Sequence, residues 1–387
     1  MEEVKNKVIL IGGNHHNGLG LVRCFGINNI FPFGIIVGED AEKSFVRKSK
    51  YWSQTWCVSK DEDVVGCLLD HFSNESKKPV VIPYSDTAAE IVDLNYNKLE
   101  NFFLLPSISK KKGKIVELMD KQEQYRFAKQ YNILMAKSCV VNLDDIVIDD
   151  DMKYPCIVKP VVSAEGEKSD ISKCNTKKET IQYLNELRKK GYHRILVQEY
   201  IDVDTEFVMI GSIHNGNCSW TNFKKIRMWP LVGGSSSYLQ VSNDIQVDKF
   251  FESIREAFVD INYDGCFDVE ALYSNGKIFL NEVNWRNSGI IYSVIGTTVF
   301  YPVIWYFLKT NMNIPNELKF TTNNDKIYSM DESLDLRHVV SHNISLSEWL
   351  KERKKCKSFA LWQRSDLKPT IAQYLYLAKE LLIRHGV

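Results

Sequence analysis

Residues 267–286 set the tightest constraint on how this chain can fold. Two acids at strand positions, Glu270 and Glu282, are joined through a Ser274-Asn275-Gly276 turn and followed by Asn284 and Arg286. Successive side chains of a strand point to opposite faces, so only residues of matching parity share one. With a two-residue Asn275-Gly276 loop, Ser274 opposes Lys277, Val269 opposes Glu282, and Glu270 projects from the other face. With a three-residue loop and Gly276 left-handed, Tyr273 opposes Lys277, Glu282 falls opposite Asp268, and Glu270, Glu282 and Asn284 share a face. Hard divalent cations take oxygen ligands and keep phosphate oxygens among them, so that face suits a metal-bound nucleotide, with Arg286 reaching a phosphoryl oxygen. The three-residue loop is therefore the expectation if the acids act together. The competing picture is a surface hairpin with solvated acids.

A chain of 387 residues exceeds what one hydrophobic core sustains, roughly 250 to 300 residues, so two or three domains are expected. Its 49 basic side chains balance 49 acidic ones, which removes any electrostatic case for nucleic acid or a membrane surface as partner. Nine cysteines are dispersed from Cys24 to Cys356 with no C-x-x-C pair, arguing for reduced structural thiols rather than a disulfide framework or a zinc site. Glu2 and Glu3 precede only a short apolar run, and no run nears the roughly 20 residues of a membrane span, so a cytoplasmic protein is expected.

Residues 7–11, followed by Gly12, Gly13, Gly18 and Gly20, read as strand, glycine turn and helix. The spacing departs from G-x-G-x-x-G, so a dinucleotide fingerprint is weak. Residues 34–37 and 80–83 read as buried parallel strands of an α/β unit ending near Leu105-Pro106. Asp86 is either a substrate contact at a strand's carboxyl end or the N-cap of a helix over 87–94. Apolar residues recur at helical spacing over 114–131, with Lys121 inside that run. Lys159 ends a strand just before a turn-prone loop, 163–170, in which Gly166 and Lys168 suit a phosphate cradle and Glu165 and Glu167 do not. The strand 194–201 ends in Gln198-Glu199-Tyr200-Ile201, whose backbone can read an adenine edge while a nearby acid reads ribose hydroxyls. Lys225 and Arg227 lead into a Gly/Ser loop through Ser237, suited to holding a carboxylate or covering a site. Helical spacing returns through Leu308, at Trp349-Leu350 and over 374–382, with an Asn-rich linker at 321–325.

Taken in order, a helical lysine (Lys121), a lysine before a loop (Lys159), Gln198-Glu199-x-Ile201, Glu206, and then Glu270, Glu282, Asn284 and Arg286 across a hairpin resemble the ATP-grasp superfamily over nearly the whole chain. Glu270 and Glu282 are 12 residues apart, an interval shared with its biotin-dependent carboxylases. The resemblance implies an α/β chain with an ATP-grasp fold of two α+β lobes, preceded by a Rossmann-like α/β domain. Residues 1–105 would be the preceding domain and 106–310 the ATP-grasp domain, with an N-lobe of 106–198 carrying the phosphate loop and a C-lobe of 199–310 carrying the metal site. Residues 311–387 would be a C-terminal helical segment. ATP and Mg²⁺, or Mn²⁺ in its place, are the implied cofactors. Lys121, Lys159 and Lys168 match phosphate lysines, Glu199, Tyr200 and Ile201 the adenine strand, Glu206 the ribose acid, Glu270, Glu282 and Asn284 the metal ligands, and Arg286 a phosphate arginine. Two departures stand out: a phosphate loop with one glycine, and Asn284-Trp285-Arg286 where the superfamily has Asn-Pro-Arg.

Residues 227–234 and Asp366-Leu367-Lys368-Pro369 resemble the D-aspartate ligase and carboxylate–amine ligase branch. There a carboxylate takes the terminal phosphoryl group of ATP and the acyl phosphate is attacked by an amine. Arg227 is then the candidate for stabilising the carboxylate or acyl phosphate. The implied partners are small-molecule carboxylate and amine substrates, with neither nucleic acid nor membrane, and a homodimer is compatible. Two other functions fit the same fold: a catalytically silent ATP-binding sensor or assembly subunit, which the poor phosphate loop motivates, and an ATP-dependent carboxylase, for which the sequence offers no biotin partner domain.

Overall fold

The computed structural model describes residues 5–161, 170–231, 233–318 and 326–384. The chain forms two compact units, one of Met1–Val116, Phe207–Val269 and Asn284–Val387, the other of Glu117–Glu206 and Glu270–Val283. The first unit opens with β1 (Val8–Gly12), α1 (His16–Ile27), β2 (Phe33–Val37), β3 (Gln54–Val58), α2 (Val64–Phe72) and β4 (Val80–Pro83). These strands make a parallel sheet ordered β3-β2-β1-β4. Its faces bury separate sets: Leu10, Ile36 and Ile82 pack with Leu21 and Phe25, while Ile9, Ile11 and Val81 pack with Val64 and Leu68. Burial on both faces is why these strands read as unbroken apolar runs. β3 escaped the sequence because it lies at the sheet's edge and most of it is only partly buried. The glycine turn is explained by Tyr84: a Cβ at Gly12 would lie 2.4 Å, and one at Gly18 2.7 Å, from its ring. Ser85, not Asp86, caps α3 (Asp86–Leu94), its Oγ accepting from the Ala88 N–H, and Asp86 is the first helical residue. Next come α4 (Tyr96–Leu99), β5 (Ser107–Ile108) and α5 (Lys114–Met119).

The single helix expected over 114–131 is two, because Asp120 leaves the helical conformation to cap α6 (Lys121–Gln130), accepting from the Gln122 and Glu123 N–H groups. Lys121 is thus the first residue of a helix rather than an interior one. The second unit continues with β6 (Ser138–Asn142), β7 (Cys156–Pro160), β8 (Ser172–Cys174), α7 (Lys177–Lys189) and β9 (Arg194–Glu199), whose strands form an antiparallel sheet ordered β6-β9-β7-β8. One face, carrying Val141, Cys156, Val158, Ile195 and Val197, packs on Leu184 and Leu187 of α7.

A long sheet follows: β10 (Thr205–His214), β11 (Asn217–Trp229) and β12 (Ser235–Val241), then, after α8 (Ile245–Asp260), β13 (Tyr263–Ser274) and β14 (Lys277–Asn284). The remaining elements are α9 (Val294–Thr297), α10 (Tyr301–Lys309), β15 (Tyr328–Met330), α11 (Glu332–Val340), α12 (Leu346–Lys355), β16 (Cys356–Phe359) and α13 (Lys368–Arg384). The strand order is β14-β13-β10-β11-β12-β15-β16, with β5 added to β13. The segment expected to be helical therefore also supplies two strands to this sheet. At three and four residues they are too short to display a period. Among the described residues no single helix is long and apolar enough to cross a membrane, and all nine cysteines are free.

Candidate functional site

The second unit's antiparallel sheet has two unlike faces. Pairing of Lys159 with Leu196, and of Ile157 with both Gln198 and Lys173, places Lys159, Lys173 and Gln198 on the face away from α7. Lys159 is half-buried and its Nζ donates to Gln198 Oε1 at 2.8 Å. Burial lowers its pKa from 10.5 to about 8; the Lys121 ammonium pushes the same way, and the Glu282 carboxylate pushes back. Residues 121, 159 and 282 are thereby brought together from α6, β7 and β14. An amide oxygen does not neutralise an ammonium, so a half-buried lysine bonded to one, beside a second lysine, favours an anionic ligand. Gln198 is a site residue that motif matching alone does not assign a side-chain role; its nearness to Lys159 is diagonal across paired strands and becomes visible only with the register.

The β13–β14 hairpin does not have the expected three-residue loop. The strands end at Ser274 and begin at Lys277, and the two residues between, Asn275 and Gly276, have φ of 48° and 76°. Positive φ at both positions is the two-residue turn that matches strand twist, and Asn-Gly tolerates it best. That register alone would send Glu270 and Glu282 to opposite faces. The correction lies further along β14, which is the sheet's edge strand. The Leu280 N–H bonds outward to the Leu134 carbonyl, and the N–H and C=O of Val283 bond outward to the Gln124 side chain. In a regular strand outward-pointing backbone groups recur at even intervals; three residues separate these two, so β14 holds one extra residue between them. Burial agrees, alternating through Ile278 and Leu280 and then slipping to Val283 and Trp285. Asn281 and Glu282 thus share the position across from Glu270, and Glu282 opposes Glu270 rather than Asp268.

Two facing carboxylates, with Asn284 next of matching parity along β14, form an all-oxygen donor set that fits a magnesium-like ion retaining phosphate and water ligands. Among the described residues no group of three or more His, Cys, Asp or Glu side chains could hold a metal by itself, so the carboxamide or a ligand must complete the set. Beyond Asn284, Arg286 bonds Asp86 (Nε–Oδ1 2.8 Å), Asn284 Oδ1 (3.3 Å) and the Asn287 carbonyl (3.2 Å).

The other expected positions divide. Lys168 and Gly166 of the phosphate loop lie outside the described residues. Glu199 is ion-paired with Lys153 at 3.6 Å, and Lys173 sits 3.6 Å over the Tyr200 ring. The N–H groups of Glu199 and Tyr200 bond the Lys137 and Pro155 carbonyls, so neither donor is turned to a base. Glu206 is the second residue of β10, half-buried. Arg227 is not available for a carboxylate substrate: on β11 it pairs in bidentate fashion with buried Asp335 (3.0 and 2.8 Å) and with Glu352 (2.7 Å). A guanidinium neutralised by two carboxylates is a structural clamp. Asp366 is likewise structural, accepting from Arg23, Ser49 and the Lys50 N–H, with Arg23 and Asp366 both buried.

Neither family models nor curated proteins give a sequence match to this chain. Solved structures do match in fold. L-amino acid ligase from Bacillus licheniformis aligns over 79% of this chain and 75% of its own, at 15% identity and a TM-score of 0.58. Phosphoribosylglycinamide synthetase from Anaerococcus prevotii aligns over 83% and 79%, at 17% identity and 0.60. The biotin carboxylase domain of the Hydrogenobacter thermophilus 2-oxoglutarate carboxylase, solved with MgADP, ADP and bicarbonate, aligns over 84% and 74%, at 14% identity and 0.61. This chain has the ATP-grasp fold.

Proposed function

We propose that this protein is an ATP-dependent carboxylate–amine ligase acting on an amino acid or a small peptide-like substrate. The observation that carries the proposal is the coupling of Lys159 to Lys121 and Glu282, three side chains the sequence holds far apart, beside a hairpin bulged so that two carboxylates face each other. The nucleotide's adenine would lie near Ile201, its ribose near Glu206, and its phosphates against Lys121 and Lys159. A Mg²⁺ ion held by Glu270, Glu282 and Asn284 would supply charge neutralisation on the phosphate oxygens. The substrate carboxylate oxygen would attack the terminal phosphorus as the bridging bond to ADP breaks; the amine nitrogen would then attack the acyl carbon, and phosphate would leave with the C–O bond's electrons and take up the proton the nitrogen loses. Phosphoryl transfer depends on in-line positioning and oxygen neutralisation more than on a proton shuttle, which suits a site built on two lysines.

Glu282→Gln is the sharpest single substitution, since it keeps the side chain's size and hydrogen-bonding reach while removing its charge. ATP turnover should fall by about a hundredfold or more with melting temperature unchanged. Near-normal ADP release by a folded Gln variant contradicts the metal assignment.

A further inference from the structure

The first unit holds a cavity of about 730 Å³ that shares no residue with the proposed nucleotide or metal positions. It exists because β12 is shorter than β11. β12 pairs with β11 only from Phe223 onward, and after Val241 the chain turns away into α8, so among the described residues no strand covers the outer edge of β11 over 217–222. The last link is the Ser242 N–H donating to the Asn222 carbonyl at 2.8 Å. Outward-pointing backbone groups recur at every second residue, so those of Trp220 and Cys218 face the cavity. Ser219 faces the other way: a Cβ at Gly211 of β10 would meet its carbonyl at 2.5 Å. An uncovered row of N–H and C=O groups is a template for another strand.

The two walls of the cavity differ. Adjacent side chains of β11 leave on opposite faces. Asn222 Nδ2 donates to Asp248 Oδ1 of α8 at 2.6 Å, whereas Phe223 packs in the apolar cluster that contains Ile304 of α10. The α8 wall is therefore polar, and the α10 wall, continued by Leu308, Ile314 and Leu318, is apolar. Asn222 is 5% exposed and its Oδ1 has no hydrogen-bond partner. No lysine or arginine is among the charges acting on the Asp248 carboxylate; Glu252 on the same wall is paired with Arg255 at 2.6 Å, and Lys249 is exposed. A buried acceptor without a donor, beside a carboxylate without a cation, calls for a ligand bearing N–H groups and positive charge.

We infer that this edge binds an extended peptide segment of a partner protein as an added strand, one that alternates apolar side chains against α10 with polar ones against α8 and sets a lysine or arginine beside Asp248 and Asn222 Oδ1. The backbone groups of Cys218 and Trp220 hold its main chain, and the two unlike walls select its alternate side chains. A small amine would satisfy Asp248 but leave the strand edge unpaired. A second copy of β11 is flanked by its own α8 and α10, which hold the two edges apart. The inference is about an interaction surface and does not rest on the ligase reading.

Fluorescence anisotropy with the full chain and an N-terminally dye-labelled Val-Thr-Leu-Lys-Val-Thr amide tests it. Replacing the peptide's lysine by norleucine, or scrambling the same residues out of alternation, should each weaken binding by about tenfold. Asp248→Asn keeps an acceptor for the Asn222 amide and should erase the preference for lysine over norleucine. Main-chain N-methylation of one alternate set of peptide residues should abolish binding, and of the other set leave it within a few-fold, because only one set turns its N–H groups to the edge. No binding at about 1 mM peptide, or equal effects of the two methylated sets, overturns the inference. Butylammonium that competes as well as the peptide would assign the cavity to a small amine, and self-association reversed by the peptide would assign the edge to a second copy; either result overturns it as well.

Discussion

Lys159 concentrates the chemistry of the proposed nucleotide site into one titration. With a pKa of about 8 it is charged at neutral pH and neutral above that value, so affinity for a polyphosphate should fall as pH rises through about 8. Removing the neighbouring cation by Lys121→Gln should raise that pKa and move the falling limb to higher pH, whereas Glu282→Gln should move it lower. Lys159→Met should weaken MgATP binding by about tenfold or more and flatten the limb. Calorimetric titration from neutral to alkaline pH reads all of these, and a profile that Lys121→Gln leaves in place contradicts the coupling. At this scale the sequence was informative where chemistry forces a residue type: the lysines and both glutamates were legible as candidates. Gln198 was not assigned a side-chain role because its partner is set by strand register. Arg227 was misread because its carboxylates, Asp335 and Glu352, lie more than a hundred residues further on and only folding reveals them.

Elements decide whether those residues can cooperate. The two-residue turn would by itself separate Glu270 from Glu282, and the extra residue in β14 reverses that outcome. Deleting Asn281 should remove the bulge while leaving Glu282 directly across from Glu270, so Mg²⁺-dependent nucleotide affinity should survive within a few-fold and circular dichroism should remain native. Loss of Mg²⁺ dependence in a folded deletion variant contradicts the register, because only in an unbulged strand would the deletion turn Glu282 to the other face. The bulge was illegible beforehand because its evidence comes from Leu134 and Gln124, which pin β14 from outside the hairpin; without it the three-residue loop was the expectation, and the local preference of Asn-Gly for a two-residue turn was passed over. Arg227 belongs to this scale as the clamp between β11 and helices α11 and α12. Arg227→Ala leaves buried Asp335 without its cation and should cost about 3–5 kcal/mol in urea denaturation. A loss of turnover at full stability would return Arg227 to the substrate site.

For the whole molecule, the alternation of strands and helices made an α/β architecture readable from the start, and the order of motifs along the chain pointed to the ATP-grasp fold that the solved structures share. The C-terminal region was the exception, since β15 and β16 are stabilised by the sheet they join rather than by any pattern of their own. What the fold leaves open is the reaction, because one fold hosts ligation, carboxylation and plain nucleotide binding alike. The decisive measurement is ADP release by the purified protein with ATP and Mg²⁺, read against a matrix of amino-acid carboxylates and amines with and without bicarbonate. Release that requires both a carboxylate and an amine, with one amide formed per ADP, is the predicted result; release driven by bicarbonate alone, or nucleotide binding with no release under any pairing, contradicts it.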